Sequence, residues 1–95
     1  MSLEMLAAKY IGSAEKVLKE LLQTKESVTV SEADSTKVLR WACDYLEDAK
    51  YYKAQGKFET SLTSVAYCEG LLDALRLLGA VKFEWPTNPQ RKKLS

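Results

Sequence analysis

The chain has 95 residues, of which 46% are hydrophobic and 28% charged, with a net charge of +1 and no histidine. This length suits one domain, and the composition is that of a folded globular protein rather than a disordered chain. Because histidine is the commonest general base and metal ligand, its absence excludes Ser-His-Asp and Cys-His catalysis.

The sequence contains no apolar run long enough to span a membrane. Its first residues include neither the basic region nor the continuous hydrophobic region of a signal peptide. We therefore expect a cytoplasmic protein that does not enter a membrane. Cys43 and Cys68 are 25 positions apart and belong to no CxxC spacing, so both are predicted to be reduced, buried apolar side chains.

Apolar residues recur at intervals of three and four over the first part of the chain, which predicts an N-terminal helix over about 4–24. Ser31 and Asp34 have the spacing of a capping box, so a second helix is expected over about 32–55, ended by Gly56. Its predicted buried stripe comprises Val38, Trp41, Ala42, Tyr45, Ala49 and Tyr52.

A third helix is predicted over about 58–78, ended by Gly79, and its apolar arc is unusually wide. Such an arc is typical of a central helix, and equally of one whose outer face meets a second copy of the protein. The short turn at Gly56 makes the two long helices antiparallel neighbours, and the longer loop near Val28 lets the first helix pack on both. The predicted fold is all-α, an up-and-down three-helix bundle.

The domain organisation follows from these helices and from the composition of the C-terminal end. Residues 1–80 form a single three-helix domain, and residues 81–95 form an extended, partly disordered basic tail. The tail begins with apolar residues at every second position, passes two prolines and ends in Arg91, Lys92 and Lys93.

The segment from Asp48 to Phe83 carries a family resemblance. Its features are Ala49 to Tyr52, the Gly56 turn and then, on the next helix, Ala66-Tyr67, Gly70, Asp73-Ala74 and Leu78-Gly79. In these it resembles the archaeal domain-of-unknown-function family 357, whose members are small helical proteins without an assigned activity. The resemblance implies a three-helix bundle in an archaeal cytoplasm and supplies no substrate.

Four carboxylates form the first candidate site, with Asp44 and Asp48 one turn apart on the second helix and Glu69 and Asp73 one turn apart on the third. Facing carboxylates can bind a hard cation, although di-iron bundles use Glu-x-x-His motifs that are missing here. Basic residues also lie three or four positions away, which favours surface ion pairs, so we predict no metal and no cofactor.

A second candidate is a small groove formed by Tyr52, Tyr67, Gly70 and Asp73, in which Tyr67 and Asp73 would meet a ligand or partner. The alternative is intramolecular packing, with Asp73 bonded to the hydroxyl of Tyr45 or Tyr52. A third candidate is the tail, where Phe83 and Trp85 beside Arg91, Lys92 and Lys93 combine stacking groups with positive charge. The alternative there is a strap that places the two aromatic residues over the bundle ends.

Without a catalytic constellation, the sequence favours a non-enzymatic helical module for protein–protein interaction or oligomerisation, with a second copy or another protein as partner. Two other functions stay open. One is a nucleic-acid-associated accessory protein that uses the tail, and the other is a small-ligand or cation binder that uses the carboxylates.

Overall fold

The computed structural model describes residues 2–86, which form three helices: α1 over Leu3–Glu20, α2 over Glu32–Ala54 and α3 over Phe58–Leu77. No strand occurs in this part of the chain, so the predicted all-α class is confirmed. The bounds of α2 and α3 agree with the sequence-based prediction to within one residue, whereas α1 ends four residues earlier than expected because Leu21 takes an extended conformation. None of these helices is long and apolar enough to cross a membrane.

Local capping explains where the helices begin and end. At the start of α2, the Ser31 hydroxyl accepts from the Asp34 amide at 3.0 Å, and the Asp34 carboxylate accepts from the Ser31 amide at 3.2 Å. This confirms the capping box, which satisfies two amides that the helix itself cannot pair. A Schellman motif ends α2, because Gly56 adopts φ +75° and the Lys57 amide donates to the Tyr52 carbonyl. Gly79, at φ +78°, ends α3 in the same way.

Helices α2 and α3 pack side by side as an antiparallel hairpin. The Ser61 hydroxyl donates to the Ala49 carbonyl at 2.7 Å across the hairpin, and the rings of Tyr45 and Tyr67 stack with centroids 4.4 Å apart. The centre of this contact is made of small and medium side chains that let the two backbones come close. The buried apolar residues are Ala42, Ala49, Cys68 and Leu75.

Helix α1 does not pack as the sequence led us to expect. Within residues 2–86, α1 contacts neither α2 nor α3, and residues 21–31 lead away from it as an exposed segment without regular structure. The expectation that α1 packs on both long helices is therefore corrected. Periodicity establishes that a helix has an apolar face, but the site on which that face packs depends on tertiary contacts.

The same correction applies to Trp41, which we expected in the buried stripe of α2. Its side chain is 52% exposed, while Ala42 beside it is 1% exposed. Only the face of α2 that meets α3 is covered, and Trp41 lies at the margin of that face. A third helix packed against α2 would have been needed to bury it.

Candidate functional site

Asp73 lies at the centre of a cluster that joins α3 to the residues after it. The indole Nε1 of Trp85 donates to Asp73 Oδ1 at 2.8 Å, and Arg76 Nη2 lies 3.3 Å from the same oxygen. The Arg76 guanidinium also lies over the ring of Phe83 at 5.6 Å, and Phe83 meets Trp85 edge-on at 5.0 Å. Asp73, Arg76, Phe83 and Trp85 are called the Asp73 cluster below.

The cluster holds residues 81–86, here called the C-terminal strap, against the end of α3. Along the strap, half-buried and exposed residues alternate, with Val81, Phe83 and Trp85 turned inward and Lys82 and Glu84 turned outward. Of the sequence-based candidates for a nucleic-acid site, Phe83 and Trp85 are engaged with α3 in this way. Arg91, Lys92 and Lys93, and the rest of the predicted tail from residue 87 onward, lie outside the described residues.

The structure does not bring Tyr52, Tyr67, Gly70 and Asp73 together as one groove. Tyr67 stacks on Tyr45, whereas the ring of Tyr52 meets Tyr51 edge-on at 5.3 Å near the hairpin turn. Tyr67 and Asp73 are six positions apart on α3, so their side chains point about 120° apart around the helix. Asp73 accepts from the Trp85 indole and from Arg76, which corrects the alternative of a bond to the hydroxyl of Tyr45 or Tyr52.

The four candidate carboxylates have different surroundings. Asp44 and Asp48 are exposed on α2, while Glu69 and Asp73 are half-buried on α3. Within residues 2–86, no three aspartate, glutamate or cysteine side chains are grouped so that they could hold a metal ion. Asp44 lies at one end of an open groove along α2. The groove contains both acidic and basic side chains, so its charge does not favour binding of either a cation or an anion. The groove is lined by Glu32, Ala33, Thr36, Lys37, Arg40, Trp41 and Asp44.

The two cysteines differ in accessibility. Cys43 is exposed, whereas Cys68 is 5% exposed in the contact between α2 and α3. Burial raises the pKa of the Cys68 thiol above its ordinary value of 9.0, and the neighbouring Cys43 and Glu69 raise it further. Since the thiolate is the reactive form, Cys68 is a packing residue rather than a nucleophile, and the expectation of a buried Cys43 is corrected.

A further feature, outside these candidates, is the uncovered apolar face of α1. The large side chains on this face are between 59% and 72% exposed, and no charged residue interrupts them. The periodicity of the sequence indicated this face, but it did not indicate that neither α2 nor α3 covers it within residues 2–86. We call it the α1 stripe; its large exposed members are Leu3, Tyr10, Ile11, Val17 and Leu18.

Helix α3 also carries exposed apolar and small residues. Five exposed residues follow one another at intervals of four, each about 40° further around the helix axis than the one before, so the first and the last point about 160° apart. No atom lies within 4 Å of the position that a Cβ at Gly70 would take, so the surface there is open. The five residues, which do not form a single face, are Leu62, Ala66, Gly70, Ala74 and Leu78.

The model of a protein family of unknown function, DUF357, matches residues 9–81. The chain belongs to this family. The match takes in most of α1, the whole of the α2–α3 hairpin and the first residue of the C-terminal strap, so it confirms the resemblance seen in the sequence and extends it toward the N-terminus. No curated protein and no solved structure shows significant similarity to the chain.

Proposed function

We propose that this DUF357 chain is a non-enzymatic helical module that acts in the cytoplasm by associating with protein. The observation that carries the proposal is the α1 stripe, an apolar face about 27 Å long that nothing within the described chain covers. An apolar patch of this length on a small protein marks a surface of interaction.

The energetics of α1 support the same proposal. Most of the stability of a helix in a protein comes from packing of its apolar face, and α1 makes no such contact with α2 or α3 within residues 2–86. Covering the five large side chains of the α1 stripe contributes roughly 1 to 2 kcal/mol each, in proportion to the surface that they expose. We therefore expect α1 to be fully ordered only when it is docked on a protein partner.

The test compares the full-length chain with a variant in which the α1 stripe carries two charges, Ile11→Glu with Leu18→Glu. The matched control places glutamates on the opposite side of the same helix, Lys9→Glu with Lys16→Glu. We expect light scattering or binding to a purified partner to detect association that the stripe variant loses and the control keeps. A wild-type chain that stays monomeric and has no partner dependent on the stripe would contradict the proposal.

A further inference from the structure

We draw no further inference here: the strongest candidate, the uncovered apolar face of α1, already carries the proposed function, and nothing in the structure shows whether the α2–α3 hairpin, a second copy of the chain or another protein covers it.

Discussion

The indole Nε1 of Trp85 lies 2.8 Å from Asp73 Oδ1, and this hydrogen bond fastens the C-terminal strap to α3. The two residues are twelve positions apart, and Gly79 reverses the chain between them. Arg76 pairs with the same carboxylate oxygen and also lies over the Phe83 ring. Asp73 therefore contacts both polar groups of the Asp73 cluster, the Trp85 indole and the Arg76 guanidinium.

Trp85→Phe is predicted to lower the free energy of unfolding by about 1 kcal/mol, because it removes the indole donor and keeps an aromatic ring beside Phe83. In a domain of this size, that loss lowers Tm by roughly 4 to 8 °C. Thermal denaturation followed by circular dichroism measures it. The control is Trp41→Phe at an exposed position, for which we expect a change within about 0.5 kcal/mol. Equal effects of the two substitutions would show that the hydrogen bond contributes nothing.

Ser61→Ala is predicted to destabilise the hairpin by about 1 kcal/mol, since the Ser61 hydroxyl donates to the Ala49 carbonyl in a partly buried contact between α2 and α3. Thr63→Ala is the matched comparison. Thr63 donates to the Glu59 carbonyl within its own helix at an exposed position, and alanine favours helix more strongly. We expect urea denaturation to give a loss for Ser61→Ala and no loss for Thr63→Ala, and the reverse order would refute the assignment.

Gly56→Ala is predicted to lower the free energy of unfolding by about 1 to 2 kcal/mol. Gly56 adopts φ +75° in the turn, and a residue with a Cβ is strained in that conformation. Gly70→Ala, in contrast, lies inside α3 with open space around it and is predicted to stabilise the helix by roughly 0.5 to 1 kcal/mol. The two substitutions make the same chemical change with opposite expected signs. Chemical denaturation of both variants checks the pair, and a loss at Gly70 would indicate a neighbour that occupies the space.

The buried Cys68 thiol is predicted to make stability depend on pH above 9. Its folded-state pKa is raised above the ordinary value of 9.0, so the unfolded chain ionises first. The contribution of the neutral Cys68 thiol to the free energy of unfolding is fully present below pH 9.0. It is lost progressively as the pH rises above that value. Denaturation of wild type and Cys68→Ala from pH 7 to 10.5 tests this, since other groups titrate in both proteins and cancel in the difference. A difference that stays constant over the whole range would disprove the linkage.

The sequence by itself determined the secondary structure and the hairpin of this protein. The capping box at Ser31, the turn glycines Gly56 and Gly79 and the helical periodicity act over a few residues, and each was predicted and found. The connection between α2 and α3 is so short that the two helices must lie side by side in antiparallel orientation. Family membership could also be read from residues in this part of the chain.

Only the tertiary structure decided that α1 lies apart from the hairpin, that Trp41 is exposed and that Asp73 accepts from Trp85. Periodicity shows that α1 has an apolar face. Such a face can be buried equally well against the α2–α3 hairpin or against another molecule, because the hydrophobic effect is non-directional. The Trp85–Asp73 bond depends on how the chain returns after Gly79, and Trp41 is exposed because, within residues 2–86, only α3 packs against α2. Each of these outcomes is set by contacts between segments distant in the chain, which local patterns do not encode.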